Sequence, residues 1–410
     1  MLERNKTVSS FIITTAVALA IGLPLPAVSH VQTNDVGYST IWDEFSAFDE
    51  NSDVVVDHQP LTDFLQATVF PVGRSKARLG QAQTETYRES HIKYGNGKPS
   101  RYEGNRLFIH AFTDDHYAFL EAYKDGLERL SDRRPLAELS RDEQLAYWFN
   151  LYNVIVMKKL IEEYPIQSLK SLRLGSASFW DENTATVQGV PLSLRDIETI
   201  VYKTWQNPLV MYGFFQGTIG GPSLPTKAFT AENVWGLLEQ NAVEYINSNR
   251  GVRPRGSKAK VSIMYEWGGA SYGYSEEALL EHINHYADTA FLGDISNLQS
   301  LQFKYYDWTI ADMLGGVLHS GRDNNLGGVL TARDTRTKSE GHTDIAGLVD
   351  RFLKYEPTGP QNIFPPLLVK FVSDIMVHND LPDRTPVVTV IECDPGQCEE
   401  QEQDKNNQEE

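Results

Sequence analysis

Cysteine is nearly missing from this 410-residue chain: only Cys393 and Cys398 occur, both in IECDPGQCEE near the end. That scarcity excludes a disulfide-stapled scaffold, and the neighbourhood offers too few further ligands for a metal or redox centre. Asp-Pro-Gly-Gln supplies turn chemistry between them, so Cys393–Cys398 is a candidate local disulfide. So small a loop would gain about 2 kcal/mol, for its own segment only. Positive charge is also scarce. Lys and Arg total 37 against 55 Asp and Glu, a formal net charge of −18, which argues against nucleic acid or an anionic membrane surface as partner. Part of the imbalance is local: EEQEQDKNNQEE at 399–410 reads as an acidic, disordered tail.

Long apolar runs are missing after the first thirty residues. The best later stretch, NIFPPLLVKFVSDIMV, is short and carries Lys370 and Asp374, whereas a membrane span needs about twenty apolar residues. The start is different. Arg4 and Lys6 precede FIITTAVALAIGL, then Pro24 and Pro26, then Ala27-Val28-Ser29. A charged start, a short apolar core and a small-x-small end predict a signal peptide over 1–29, leaving His30 as the new N-terminus. No Cys follows the apolar core to accept a lipid. The mature chain, about 380 residues, is expected to be soluble and periplasmic or secreted, with no span after signal cleavage.

What remains has ordinary globular composition and punctuated helical signals. YSTIWDEFSAF predicts a helix, PLTDFLQATVF is a second apolar stretch, and the polar residues from Gly73 to Asn105 read as a long loop. AFTDDHYAFLEAYKDGLERL places Phe119, Leu120, Tyr123, Leu127 and Leu130 on one helical side. ELSRDEQLAYWFNLYNVIVMKKLIEEYP predicts the central buried helix, opened by a Ser140–Glu143 capping box and stopped at Tyr164-Pro165. Asn150 and Asn153 interrupt its apolar surface and are expected to brace backbone. TATVQGVPL predicts a hairpin turning at Gln188-Gly189; Ser193 and Asp196 open the next helix; Thr230 caps a helix from Ala231 to about Asn247; VSIMYEW and FKYYDW are strand candidates; and Ser275 caps EEALLEHINHYA. The fold class is α+β: a helix-rich main domain around a central buried helix, with a few short strands. Its parts read as an N-terminal helical segment over 30–110, a core over 111–310, a C-terminal helical extension over 311–392 and a tail over 393–410.

From Leu139 to Trp308 the chain resembles the bacterial and plant family known as domain of unknown function 547. The likeness is carried by LAYWFNLYN, YPIQSL, VQGVPLSLRDIE, AFTAENV, KVSIMYEW and YYDW, in that order. It implies a His, an Asn-Cys and a Cys before Pro where this chain has Met211, Phe215-Gln216 and Gly221-Pro222, and a further His where it has Thr199. A thiol nucleophile needs its sulfur and a group that keeps it ionised; Gln216 and Thr199 supply neither.

That substitution frames MYGFFQGTIGGPSLP at 211–225, which reads as a strand running into a glycine-rich loop without an ionisable side chain. A phosphate cradle would lead straight into a helix and bring a Lys. A packing turn and a chemically silent pocket both remain open. The candidate ligand-binding residues are Gln216, Thr218, Glu198 and Trp267; no catalytic residue, metal site or cofactor is assigned. Weaker patterns are His282 and His285 with Glu281 or Asp288 as metal ligands, Trp180-Asp181-Glu182 as a glycan-handling acid, and Tyr265, Trp267, Tyr272 and Tyr274 as a stacking surface. The leading expectation is an exported non-catalytic binding or interaction module, its partner a small ligand or an envelope protein. A hydrolase-type enzyme using carboxylates and a structural envelope protein are the alternatives.

Overall fold

Glu143 to Met157, fifteen consecutive residues' worth of side chains on one helix, are all buried, and the rest of the molecule is arranged around them. This is the central helix of a computed structural model that describes residues 45–72, 100, 103–109, 112–313, 315, 316, 388 and 390–392. They belong to one compact unit, Ser39–Glu410. The signal segment, the long polar loop apart from residues 100 and 103–105, the amphipathic runs at 345–355 and 365–376, the cysteine pair and the acidic tail lie outside the described residues.

In chain order the elements are β1 (Val54–Val56), α1 (Gln59–Thr68), β2 (Val69–Phe70), β3 (Arg106–Leu107), α2 (Asp114–Arg133), α3 (Arg141–Glu163), α4 (Lys170–Leu174), β4 (Asn183–Val187), β5 (Val190–Ser193) and α5 (Leu194–Trp205). After a 3₁₀ turn, Pro208–Gly213, come α6 (Val234–Ile246), β6 (Val252–Arg255), β7 (Lys258–Ser262), α7 (Met264–Trp267), α8 (Glu276–Tyr286), α9 (Thr289–Ile295), β8 (Ser300–Tyr305) and β9 (Val390–Glu392). The strands form small separate sheets: β1 with β9, β2 with β3, β4 with β5, and β6-β7-β8. The architecture is α+β, with α3 at its centre. Among the described residues no helix is long and apolar enough to cross a membrane.

The local signals explain most of these elements. In α2 the expected stripe of Phe119, Leu120, Tyr123, Leu127 and Leu130 is buried, because positions three and four apart share a helix face. The β4–β5 hairpin turns on Gln188 and Gly189 at φ 52° and 79°, the left-handed pair that a two-residue hairpin loop requires. Ser193 and Asp196 close a capping box over α5, and Ser275 accepts from the Ala278 N–H at 3.1 Å to start α8. Asn150 and Asn153 each hold both backbone groups of a passing loop. Asn150 donates to Phe229 O at 2.7 Å and accepts from Phe229 N at 3.0 Å. Asn153 donates to Gly213 O at 3.1 Å and accepts from Phe215 N at 2.8 Å.

Four local expectations change. Ser140 caps α3 at 3.2 Å, but the Glu143 side chain does not complete a box; it accepts from the Val56 N–H of β1 at 2.9 Å. VSIMYEW is not one strand: Val261 and Ser262 end β7, and Met264–Trp267 is a helical turn. The helix after Thr230 starts at Val234, following a turn that Thr230 and Asn233 close between them. Of the helix expected over 38–48, residues 38–44 lie outside the described residues, and Phe45–Phe48 is not helical; Phe45 is buried edge-on against Trp148, ring centroids 5.3 Å apart. For Glu143 and Phe45 a tertiary partner outcompetes the local propensity, whereas at Thr230 a local side-chain turn delays the helix.

Candidate functional site

The stretch 211–225 does not begin as a strand. Pro208–Gly213 forms the 3₁₀ turn, and every residue from Leu209 to Pro225 is buried. Its glycines are there for contact. A Cβ on Gly220 would lie 2.5 Å from the Asp307 backbone nitrogen, and one on Gly221 would lie 2.9 Å from Gln216 Cβ. No side chain fits either position. Neighbouring groups then satisfy the loop's carbonyls: Tyr245 donates to Gly220 O at 2.6 Å, Arg250 to Gly221 O at 2.7 Å and Asn241 to Ser223 O at 3.0 Å. Gln216 and Gly221, the two places where the family likeness implies cysteines, are thus adjacent in space.

Gln216 meets a buried ionic cluster. On α5 the residues Leu194, Ile197, Val201, Tyr202 and Trp205 face inward, and Glu198 shares their face. Its Oε1 accepts from Tyr152 Oη at 2.6 Å, from Arg173 Nη2 at 3.1 Å and from Gln216 Nε2 at 3.3 Å; its Oε2 accepts from the same Arg173 nitrogen at 3.1 Å. The hydroxyl of Tyr152 in turn accepts from Trp180 Nε1 at 2.8 Å. Arg173, 2 % exposed, sits with its guanidinium carbon 4.0 Å from the Trp267 ring centre and 4.9 Å from that of Trp180. Its Nε and Nη1 find no hydrogen-bond acceptor among the described residues and face the aromatic rings.

Burial works against charge on Arg173, yet the Glu198 carboxylate beside it overrides that and raises its pKa above the ordinary value. Burial, reinforced by Glu198, pushes the Tyr152 hydroxyl well above its usual range. At neutral pH Arg173 is therefore a cation held on Glu198, which also accepts from the neutral phenol of Tyr152.

Thr218 and Trp267 join through Tyr306. Thr218 Oγ1 and Tyr306 Oη are 2.7 Å apart, and the Tyr306 ring lies 5.1 Å from Trp267 and 4.6 Å from Trp308. Trp267 and Trp308 are 5.8 Å apart, and all three rings are partly exposed. The four candidate binding residues are thus brought together: Glu198 and Gln216 in the buried cluster, Thr218 and Trp267 at its aromatic edge. Thr199, in contrast, donates to its own helix at Arg195 O, 2.8 Å away. The ionisable neighbour of Gln216 is the residue one position earlier. Sequence reasoning missed Arg173, Tyr152, Tyr306 and Trp308. Tyr152 lay in the apolar central helix, and Arg173 is an ordinary helical Arg until burial makes it otherwise.

The weaker patterns fall elsewhere. His282 Nε2 is 3.1 Å from the Tyr212 hydroxyl and stacks on that ring; burial pulls its pKa down to about 4. Among the described residues no group of three His, Cys, Asp or Glu side chains is placed to hold a metal ion. Asp181 is tied to Arg195 at 2.5 Å, which lowers its pKa, and Trp180 is buried. Tyr265 is buried in the core, Tyr272 donates to Tyr265 O at 2.6 Å, and Tyr274 is 71 % exposed.

Comparison with known proteins adds one match. Residues 136–246 match the model of the family described as "Protein of unknown function, DUF547". This segment contains α3, Arg173, Glu198, Gln216 and Thr218; Trp267 and Tyr306 lie beyond it. No curated protein and no solved structure matches the chain.

Proposed function

We propose that the chain is an exported, non-catalytic binding module that receives its ligand on Trp267, Tyr306 and Trp308, with Thr218, Gln216 and Glu198 bracing those rings. Export rests on the leader-like residues 1–29. The non-catalytic reading rests on one observation: both Glu198 oxygens are already bonded, and the residue beside them is an amide. General acid–base chemistry needs a proton-exchanging group within reach of substrate, and covalent chemistry needs a nucleophile. Gln216 is neither. The partly exposed rings, by contrast, offer flat apolar faces with polar edges suited to a sugar or a peptide.

The test is to titrate the purified mature chain with chitotetraose and, separately, with a tetra-alanine peptide while recording tryptophan emission. One of them should shift the emission, and Trp308→Ala should weaken that response at least fivefold. No response to either probe removes the platform. Turnover of p-nitrophenyl acetate that disappears in Glu198→Gln would instead establish carboxylate-based hydrolysis and sink the non-catalytic reading.

A further inference from the structure

The three-stranded sheet β6-β7-β8 concentrates positive charge in a chain of net charge −18. Its antiparallel register sets Arg253 opposite Lys260 and Arg255 opposite Lys258. Paired residues project to the same side of a sheet, so these four cations share one face. The parallel neighbour sets Ser300 beside Lys258 and Gln302 beside Lys260, and the exposed Lys304 follows where the register shifts, at the end of this ladder. The opposite face carries the buried Val252, Ala259, Val261 and Leu301.

Like charges set directly opposite each other across a ladder destabilise it, and here there are two such pairs in succession. No carboxylate among the described residues forms an ion pair with Arg255, Lys258, Lys260 or Lys304. Arg255, Lys258 and Lys304 are exposed, and Arg253 and Lys260 are half-buried. Arg253 is occupied on one side, donating to Asn249 O at 2.7 Å and covering the Tyr305 ring at 3.6 Å.

We propose that this sheet face is a docking surface for an anionic lipid bilayer, binding its headgroup phosphates. Three features favour that partner. The cations are spread in two dimensions over a three-stranded sheet, about 5 Å apart across strands and about 7 Å along them, which matches an extended array of charge rather than a single anion. Arg253 covers one face of Tyr305 at 3.6 Å, which leaves little stacking surface among these cations for the bases that single-stranded nucleic acid would need to place there. The overall negative charge does not forbid the contact, because screening confines attraction to about 8 Å at physiological salt and only the apposed face counts. Each cation held near such a surface strengthens binding roughly fivefold. This inference is independent of the aromatic platform.

Co-sedimentation of the full mature chain with phosphatidylglycerol–phosphatidylcholine vesicles, and with phosphatidylcholine vesicles alone, tests it. The expected result is binding to the anionic vesicles only, lost at 0.5 M salt. The triple variant Arg255→Ser, Lys258→Ser, Lys304→Ser should bind at least tenfold more weakly while keeping its unfolding midpoint, and Lys258→Arg should bind like the parent. Equal binding to neutral vesicles, an unchanged triple variant, absence of binding at low salt, or tighter binding to poly-dT or polyglutamate than to the vesicles would each overturn the proposal.

Discussion

Glu198 and Glu143 are both buried beside the central helix, and the molecule treats them in opposite ways. Glu198 is 3 % exposed and carries an arginine, a tyrosine hydroxyl and an amide on its two oxygens. Glu143 is 1 % exposed and has backbone N–H groups from Val56, at 2.9 Å, and Ala231, and the imidazole of His58 at 3.8 Å. Among the described residues no lysine or arginine forms an ion pair with it. Burial pushes its pKa up to about 7 despite the Val56 hydrogen bond, and burial pulls His58 down to about 3. A carboxylate can stay ionised in the interior only with a matched cation; without one it takes up a proton. Strongly shifted titratable groups often mark a functional site. Here the shifted pair lies in the brace between α3 and β1, whereas the ion pair adjoins the proposed ligand platform.

The largest predicted effect comes from breaking the ion pair on one side. Arg173→Met leaves Glu198 buried without its cation and should cost about 3–5 kcal/mol of unfolding free energy in urea. Adding Glu198→Leu should recover most of that loss. A double variant no more stable than Arg173→Met would mean that the pair is not the source.

Next in size is a pH effect at Glu143. Its folded pKa is raised above the ordinary 4.5, so its protonated form favours the folded state; stability is highest below 4.5 and falls by about 3 kcal/mol as pH rises to 7. His58 has the opposite sign: its folded pKa is lowered, so its contribution grows from pH 3 to 6.5. The two nearly cancel between 4.5 and 6.5. Glu143→Gln keeps the acceptor for Val56 but removes the falling limb, so unfolding curves should show stability rising steadily from pH 3 to 6.5. A profile parallel to that of the parent would place the titration elsewhere.

A smaller contrast uses two tyrosines. The Tyr152 hydroxyl is 2.6 Å from Glu198 Oε1, and that of Tyr123 is 2.6 Å from His58 Nδ1. Tyr152→Phe loses a bond to a charged group and should cost about 1.5–3 kcal/mol, whereas Tyr123→Phe loses a neutral one and should cost about 1 kcal/mol. Equal losses, measured by chemical denaturation, would erase the distinction drawn between the two clusters.

Much of the framework was legible before any coordinates. The apolar run from Leu145 to Met157 specified a buried helix, and Asn150 and Asn153 within it had to bond something, because a buried amide without partners is costly. Gln188-Gly189 and Ser193-x-x-Asp196 carried their own geometry. The site was legible only in part. Glu198 and Gln216 stood out through the motifs around them, but Arg173 did not, since nothing near it in sequence reports that its side chain ends between two tryptophans. The basic sheet face had a signal that whole-chain charge concealed: residues 245–265 contain Arg250, Arg253, Arg255, Lys258 and Lys260 and no acidic residue.

The sequence by itself determined helices α2, α3, α5 and α8, the Ser140, Ser193 and Ser275 caps and the hairpin, because those depend on contacts within a few residues. Only the tertiary structure decided which polar groups became partners. Glu143 left its expected capping box for β1, and Glu198 rather than Thr199 met Gln216. Pairing across 18 to 87 residues depends on which faces are pressed together, and burial then decides whether a charge is paired or surrendered.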